Sequence, residues 1–324
     1  MASPAKKVTY STTKNGQGNF GGGGGAMNSR SGDTFATQAQ AVSAGVVASY
    51  FDFPAGIIRR IPDSLADQAL RMDDSVVVDI DLARRQHEKL IMTLRKLNVG
   101  MSEMEPDEEL PDCCFVEDPA VVLDGIAIIA NMSQPGRANE VIGIRRILKD
   151  DLRQRVVEMK EDQKATLDGG DVLFTGREFF VGISRRTNQA GASFLAKIFS
   201  DYNVSSINVY GALHLKSMMS MAGPDIIAVG SSDYAQRALK QIIEKANHDY
   251  KTVTLPDDDA ANCLFVKKTL IHCTQEEYPD SYKIFTERFR NVSRVALPNS
   301  ELKKVDGGLT CRALLVLKTP KILK

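Results

Sequence analysis

Residues 172–199, VLFTGREFFVGISRRTNQAGASFLAKIF, form the stretch from which the fold can be inferred. Two short apolar runs, Val172–Phe174 and Phe179–Ile183, flank a turn at Gly176 and Arg177 and are typical of the two strands of a hairpin. Apolar residues then recur at helical spacing over residues 188–199. The segment therefore predicts a hairpin that is followed directly by a helix.

The same order of elements recurs along the chain. Helix starts are predicted near residues 82, 139, 188, 233 and 276, a repeat of about 45–55 residues that is typical of supersecondary units. The units share almost no sequence identity, so the repeat is one of element order. Five such units predict an α/β fold that closes radially on itself. The alternative, an open doubly wound sheet, lacks its GxGxxG phosphate loop.

Two strand predictions bear on a central site. Residues 115–122 are predicted as one strand, and residues 126–130 as its partner after a turn at Asp124 and Gly125. The last strand, predicted over residues 309–317, has no helix after it and is expected to pair with the chain near Ile57 and Ile58. A radial fold would bring strand ends from several units around one centre.

The composition is that of an ordinary globular protein with balanced charge. The 324 residues include 41 Lys and Arg and 41 Asp and Glu, so the formal net charge is zero. Because electrostatic binding of nucleic acid or of an anionic membrane needs a clustered basic excess, neither partner is predicted. The longest apolar stretch, residues 120–132, is interrupted by Asp124 and is too short to span a bilayer.

The start of the chain and its cysteines indicate the expected organisation and compartment. Residues 1–50 include a run of five glycines at 21–25 and are predicted to be a flexible tail, while residues 51–324 form a single domain. The Ala-rich residues 35–50 could be a helix or a continued linker. No signal peptide is predicted and no CxxC pair occurs among the five cysteines. A cytoplasmic protein with free thiols is expected.

Four histidines give a short list of candidate acid–base groups. His214 lies among polar neighbours near a turn and is the best candidate for proton transfer. His87 lies on the apolar stripe of a predicted helix, where a core role is expected. His248 is predicted at a helix end, where its charge would complement the helix dipole. His272 adjoins Cys273, which is a weak indication of a metal ligand.

A cysteine and several carboxylates lie in unusual settings. Cys311 follows two glycines in VDGGLTC (305–311), and is either a nucleophile near a ligand or a buried residue of an alternating strand. Residues 111–119, PDCCFVEDP, place carboxylates in an apolar run, where an unpaired charge is costly, so a cationic substrate is the predicted partner. The segment LDGGD (167–171) repeats this pattern, although Asp168 alone could be a turn residue.

Five segments together resemble the dimethylarginine dimethylaminohydrolases, a family of the guanidine-modifying, or pentein, superfamily. They are PDCCFVEDPAVV (111–122), ATLDGGDVLFTGREFFVGISRRTNQAGA (165–192), LHLKSMMSMAGP (213–224), TLPDDDAANC (254–263) and KVDGGLTC (304–311). The likeness covers roughly residues 55–317. It implies a five-bladed α/β propeller of strand–strand–helix–strand units, acting as a monomer or homodimer on a small-molecule substrate.

The same resemblance implies a reaction. Nω,Nω-dimethylarginine and Nω-monomethylarginine would be hydrolysed to citrulline plus dimethylamine or methylamine, through a covalent thiouronium on cysteine and without a metal or organic cofactor. Nitric oxide synthesis would thereby be regulated. Matching segments make Cys311 the nucleophile, His214 the general acid/base and Asp168 the carboxylate that orients His214. A thiolate suits this role because the guanidinium carbon is a poor electrophile.

Nine further residues are implied to bind the substrate. Asp118 would bind the guanidinium, and Asp112 and Glu117 would shape that end of the pocket. The others match the family as follows: Arg137 and Arg186 on the α-carboxylate at the opposite end, Leu70 in a loop that closes over the site, Phe115 as apolar surface near the methyl groups, and Val305 and Asp306 on the amino-acid and guanidinium ends.

Two other functions are considered. An arginine deiminase would share fold and nucleophile, but the sequence His214-Leu215-Lys216 lacks the acid that deiminases carry two residues after the histidine. A catalytically idle binder of arginine analogues would not require a thiol, so the presence of Cys311 argues against it. A nucleic-acid-binding regulator is set aside, because only isolated basic residues of the tail favour it.

Overall fold

The computed structural model describes residues 49–73, 75–161 and 164–317. Within them, fifteen strands form five three-stranded sheets. Apart from Ser49 and Tyr50, the tail predicted over residues 1–50 and its Ala-rich part lie outside the described residues. None of the described helices is both long and apolar enough to cross a bilayer.

The strands are numbered in chain order and grouped here by sheet. They are β1 (Ala55–Arg59), β2 (Gly100–Met104) and β15 (Leu314–Val316); β3 (Ala120–Leu123), β4 (Ile126–Ile129) and β5 (Arg155–Glu158); β6 (Val172–Phe174), β7 (Phe179–Ile183) and β8 (Val204–Asn208); β9 (Met219–Gly223), β10 (Ile226–Gly230) and β11 (Lys251–Leu255); β12 (Leu264–Val266), β13 (Thr269–His272) and β14 (Ser293–Ala296).

The α-helices lie mainly between the second and third strands of each sheet. They are α1 (Leu65–Gln68), α2 (Ile80–Lys96), α3 (Glu140–Arg146), α4 (Gln189–Ile198), α5 (Asp233–Lys245), α6 (Pro279–Arg288) and α7 (Ser300–Lys303). Side-chain caps begin three of them: Asp79 accepts from the N–H of Leu82, Asn188 from Gly191 and Ser232 from Ala235. These caps satisfy backbone donors that a helix start leaves unpaired.

All five sheets have the same connectivity. The central strand is antiparallel to its partner on one side and parallel to the strand that follows the helix, as in β7, which pairs with β6 and β8. The first sheet takes its antiparallel strand from the far end of the chain, where Gly56 of β1 lies opposite Leu315 of β15. The predicted five-unit repeat and the pairing of the last strand are therefore confirmed.

The apolar core joins each sheet to its neighbours. One buried cluster contains Ile57, Val122 and Val181, which belong to the first three sheets, and a second joins the third sheet to the fourth. Further clusters join the fourth sheet to the fifth and the fifth back to β1. The five sheets are thus packed in a closed order, as expected for a five-bladed propeller.

Two strand predictions were wrong at the ends that enter the site. Residues 113–118 form turns, and β3 begins only at Ala120. Residues Thr310–Arg312 form a 3₁₀ turn, and β15 begins at Leu314. The cause is pairing between sheets: the Glu117 N–H donates to the Cys311 carbonyl at 3.2 Å. Cys311 therefore lies on a turn and not in an alternating strand.

Candidate active site

In each sheet one edge strand is antiparallel to the central strand, and these edge strands are β3, β6, β9, β12 and β15. The five segments that lead into these antiparallel edge strands contact one another in a closed ring. Gly170 N–H donates to Asp118 Oδ1 at 3.0 Å, and His214 Nε2 lies 3.0 Å from Asp168 Oδ2. Asn262 continues the ring, because its amide donates to the Lys216 carbonyl at 2.8 Å and accepts from Thr310 N–H at 2.9 Å. The bond from Glu117 N–H to the Cys311 carbonyl closes it. The sheet order thus brings a thiol, an imidazole and carboxylates together.

Ten of the twelve predicted site residues border one small cavity. They are Leu70, Asp112, Phe115, Asp118, Arg137, Arg186, His214, Val305, Asp306 and Cys311, joined there by Leu213 and Gly307. Asp168 does not border it, because it lies behind His214 as the partner of its imidazole. Glu117 does not border it either.

His214 is held as a cation. Its ring is buried, with Nε2 bonded to Asp168 and Nδ1 4.0 Å from Asp118 Oδ1. Burial by itself would lower its pKa, but the charges of Asp118 and Asp171 and the hydrogen bond to Asp168 raise the pKa of His214 to about 9. At neutral pH the imidazolium therefore has a proton to donate. Asp168 thus contacts a ring nitrogen of His214, and its role in orienting the ring stays a prediction.

Arg137 is placed differently from the expectation. Its guanidinium donates to Asp118 Oδ2 at 2.8 Å and to both oxygens of Glu140 at 2.9 and 2.8 Å. It therefore lies beside Asp118 and not at the opposite end of the pocket. Although burial opposes ionisation of Asp118, His214 and Arg137 hold its pKa below the usual value. Arg137 thus keeps a buried carboxylate charged, which an unpaired aspartate could not remain.

Arg186, unlike Arg137, has a guanidinium nitrogen that is available to a ligand. The residue is buried, and its Nη1 atom has no hydrogen-bond partner among the described residues. It borders the same cavity as Asp118. A buried guanidinium nitrogen without an acceptor favours an anionic ligand group, since planar N–H forks match carboxylates. The geometry is consistent with the predicted contact to an α-carboxylate.

Cys311 is a partly buried thiol in the resting site. Gly308 N–H donates to its sulfur at 3.3 Å. Burial, together with the negative charges of Glu117 and Asp118, raises the pKa of Cys311 to about 12. The thiol is therefore protonated at neutral pH. The other four cysteines are also free and are buried more completely.

Glu117 shapes the wall behind the nucleophile and not the guanidinium end. Its carboxylate accepts from Lys216 Nζ at 2.6 Å and from Thr310 Oγ1 at 2.8 Å. It borders a separate, mostly apolar cavity, which is also lined by Lys216 and by residues of the antiparallel edge strands. The expected role of Glu117 in the substrate pocket is therefore corrected.

Two carboxylates hold a short strap beside the small cavity. The strap is defined here as residues 70–72. Asp112 accepts from Leu70 N–H at 3.3 and 3.2 Å, and Asp306 accepts from Met72 N–H at 2.8 Å. Burial raises the pKa of both carboxyl groups. Asp112 and Asp306 thus position the strap, and Leu70 borders the small cavity.

Gly170 and Asp171 are site residues that sequence reasoning did not assign. A Cβ atom at Gly170 would lie 2.6 Å from His214 Nδ1, so no side chain fits. Asp171 is buried and accepts from Leu215 N–H at 2.9 Å and from Ser184 Oγ at 2.6 Å. It thereby ties the His214 segment to the segment that carries Arg186. The sequence signal for Asp171 is the second carboxylate of LDGGD (167–171), which belongs to the pattern of acids beside an apolar run.

Two carboxylates and an imidazole lie close enough together to be compared with a metal site. Asp118, Asp168 and His214 each offer a ligand atom, and these atoms lie within 4.8 Å of one another. Arg137 already contacts Asp118, and its Nη1 lies 4.0 Å from Asp168. A metal ion there would meet this fixed positive charge and, at neutral pH, the His214 imidazolium. The residues therefore fit a resident metal poorly.

Comparison with known proteins identifies the family. A family model described as arginine deiminase matches residues 67–268. The human protein named putative hydrolase DDAH2 is 38% identical over 272 residues, which cover 82% of this chain and 94% of the human protein. The chain belongs to the dimethylarginine dimethylaminohydrolase family. This family lies within the pentein superfamily, as the sequence resemblance predicted.

Similar dimethylarginine dimethylaminohydrolases confirm the fold. The Pseudomonas aeruginosa protein of that name is 26% identical over 80% of this chain and 98% of its own length. A structure of a cysteine-to-serine variant from P. aeruginosa, complexed with citrulline, has a TM-score of 0.71 at 25% identity and covers 82% of this chain and 100% of that chain. A dimethylarginine dimethylaminohydrolase adduct with S-methyl-L-thiocitrulline has a TM-score of 0.72 at 26% identity, and covers 81% and 99%.

Proposed function

We propose that this protein hydrolyses Nω,Nω-dimethylarginine and Nω-monomethylarginine to citrulline and dimethylamine or methylamine. The observation that carries the proposal is one cavity bordered by a thiol, an imidazolium, a charged carboxylate and an unpartnered arginine nitrogen. The relatives complexed with citrulline and with a thiocitrulline support the same chemistry. By the family resemblance, consumption of methylarginines would regulate nitric oxide synthesis.

Binding would place the two charged ends of the substrate on opposite partners. Asp118 accepts the guanidinium N–H groups, and Arg186 binds the α-carboxylate. Phe115 offers apolar surface at the cavity wall and demands no hydrogen bond from the methylated nitrogen. The free volume of the small cavity is only about 20 Å³, so residues that border it must move apart to admit an amino acid.

The substrate would itself activate the nucleophile. In the resting site, burial, Glu117 and Asp118 keep Cys311 protonated. A bound guanidinium neutralises the charge of Asp118 and adds a positive charge beside the sulfur. Both changes favour the thiolate, so the thiol proton leaves to solvent and sulfur attacks the guanidinium carbon. The resting thiol is thereby protected from unwanted reactions.

His214 would then supply the proton for the leaving amine. The carbon–nitrogen bond breaks, and the nitrogen keeps the electron pair and takes a proton from the imidazolium, which leaves a thiouronium on Cys311. Neutral His214 next accepts a proton from a water molecule as the water attacks the thiouronium carbon. The carbon–sulfur bond breaks, the sulfur takes the remaining proton of the attacking water, and citrulline and the Cys311 thiol are formed. Asp168 holds the ring in position through both steps.

The deciding experiment compares citrulline release from dimethylarginine, arginine and agmatine. The proposal predicts that dimethylarginine is the best substrate and that agmatine is poor, because it lacks the carboxylate that Arg186 would bind. Arg186→Ala should raise KM for dimethylarginine far more than it lowers kcat. Faster turnover of arginine would favour a deiminase, and equal turnover of agmatine would remove Arg186 from the binding site.

A further inference from the structure

One ion pair borders the segment that carries Cys311 but takes no part in the proposed steps of the reaction. Lys216 Nζ lies 2.6 Å from Glu117 Oε1, and the two side chains are 15% and 11% exposed. Thr310 Oγ1 donates to the other carboxylate oxygen of Glu117, Oε2, at 2.8 Å. Both oxygens of Glu117 therefore have a donor, and one of the donors is the residue before Cys311.

The ion pair is also tied to the backbone around the nucleophile. The Glu117 N–H donates to the Cys311 carbonyl at 3.2 Å. On the other side of the pair, Asn262 Nδ2 donates to the Lys216 carbonyl at 2.8 Å and to Thr310 Oγ1 at 3.1 Å. The pair thus joins the segments that carry the substrate-binding carboxylate, the imidazole and the thiol, and its two charges are held at fixed places beside the sulfur.

The two charges of the pair act on Cys311 in opposite directions. Burial is the main cause of its pKa of about 12, and the negative charge of Glu117 raises that pKa further, whereas the positive charge of Lys216 lowers it. The thiolate is the nucleophilic form of cysteine. Glu117 by itself therefore opposes formation of the nucleophile, and Lys216 offsets that effect.

Groups from other segments also act on Cys311. The negative charge of Asp118 raises its pKa, and the Gly308 N–H, which donates to the sulfur at 3.3 Å, lowers it. Arg312, the next residue, is fully buried and interacts electrostatically with Cys311. The small cavity adds Asp112, Arg137, Arg186, His214 and Asp306. A larger cavity, which Cys311 also borders, adds Asp258, Asp259, Cys273, Glu277, Tyr278 and Lys303. All these groups stay unchanged when only the ion pair is altered.

We propose that Lys216 is a positioning residue for the nucleophile, which binds Glu117 and balances the negative charge that would otherwise oppose the Cys311 thiolate. The inference rests on the proposed function, in which Cys311 attacks as a thiolate. Lys216 follows His214 by two residues, so the segment that supplies the proton donor also supplies this counter-charge. Glu117 is thereby free to hold the Cys311 backbone through its N–H without placing an unbalanced charge beside the sulfur.

The test measures how fast iodoacetamide alkylates Cys311 at pH 9 in the full chain without substrate. Trypsin releases Cys311 in the peptide VDGGLTCR (305–312), which contains no other cysteine, so mass spectrometry follows this thiol alone. The alkylation rate depends on the fraction of thiolate, and pH 9 lies well above the usual range of carboxyl pKa values. The rate therefore reports the effect of a charged Glu117 on the sulfur.

Lys216→Met should raise the pKa of Cys311 by roughly one unit, because a charge is removed from a largely buried site. The alkylation rate should then fall about threefold, since the thiolate is scarcer but each thiolate is more nucleophilic. Glu117→Gln should raise the rate, and the double variant Lys216→Met/Glu117→Gln should restore a rate near that of the wild type. The matched control is Lys267→Met, which should leave the rate unchanged, because Lys267 is 23% exposed and pairs with Asp52 at 3.9 Å.

Three results would overturn the proposal: an unchanged rate in folded Lys216→Met, an equal loss in Lys267→Met, or a double variant no faster than Lys216→Met, which would show that Lys216 acts through packing. If Lys216→Met does not fold, Glu117→Gln decides the question, and a rate no higher than that of the wild type overturns the proposal. Alkylation needs no turnover, so a failure to hydrolyse dimethylarginine would refute the proposed function while the alkylation rates still judge Lys216.

Discussion

Arg137→Met tests the charge arrangement of the site through protein stability. The Arg137 side chain is 5% exposed and contacts Asp118 and Glu140, which are 4% and 2% exposed. Methionine keeps much of the volume but leaves two buried carboxylates without their cation, which costs roughly 3–5 kcal/mol. Arg145→Met is the matched control, because Arg145 pairs at 2.7 Å with Glu158 while the side chains are 38% and 30% exposed. Its expected cost is below about 1 kcal/mol.

The pH dependence of this loss has a definite sign. Burial already raises the pKa of Glu140 to about 7, against the opposing charge of Arg137. Without Arg137, the folded-state pKa of Glu140 rises further above its unfolded value, and the pKa of Asp118, which Arg137 helps to hold below the usual value, rises as well. A carboxyl group with a raised folded-state pKa favours the folded state as the pH falls. The stability deficit of Arg137→Met should therefore be larger at pH 8 than at pH 5.5.

Urea unfolding followed by circular dichroism at both pH values measures these free energies. The double variant Arg137→Met/Glu140→Gln should recover part of the loss, because it removes one of the two stranded charges. A deficit at pH 8 no larger than that of Arg145→Met would refute the reasoning. A loss in the free energy of unfolding of Arg137→Met that grows as the pH falls would also refute the reasoning, because it would show that the buried carboxylates remain charged without their cation at no cost.

Three further predictions concern the reacting groups. Cys311→Ser should abolish citrulline formation in a folded protein, whereas Cys263→Ser should cost stability at most; citrulline from the first variant would remove Cys311 as the nucleophile. Gly170→Ala should lower kcat at least a hundredfold, because a methyl group would displace the His214 ring; normal kcat would contradict the close contact. Asp171→Asn should lower the pKa of His214 from about 9, measured by ¹⁵N NMR titration, because the negative charge of Asp171 that raises this pKa is lost. An unchanged pKa would show that Asp171 does not influence His214.

The repeat and the segments that border the candidate site could be predicted from the sequence because local patterns encode them. Hairpin turns and helical spacing mark each unit, and the segments around Asp168 and Cys311 match the family over many residues. The role of Arg137 could not be predicted, because a one-residue match in a loop does not show which carboxylate the guanidinium meets. Its partner Glu140 lies one helical turn later in the chain and reads as an ordinary helix-start acid.

The strand ends were mispredicted for a related physical reason. Apolar residues such as Phe115 and Leu309 suggest strands, but their burial comes from packing around the site and not from a sheet. Backbone groups of Glu117 and Cys311 bond to each other across sheets. Contacts between distant segments decide such ends, and hydrophobic periodicity does not contain them.

The position of the chemistry follows from the repeat itself. Each sheet contributes one residue from the segment that leads into its antiparallel edge strand. These residues are Asp118, Asp168, His214, Asn262 and Cys311. Because the sheets follow one another in a closed order, these five segments meet, and each can present a different side chain to the same space. Asn262 makes its hydrogen bonds with the two neighbouring segments, while the other four positions present two carboxylates, an imidazole and a thiol. A substitution in one entering segment should therefore affect the next segment around the ring before it affects its own sheet.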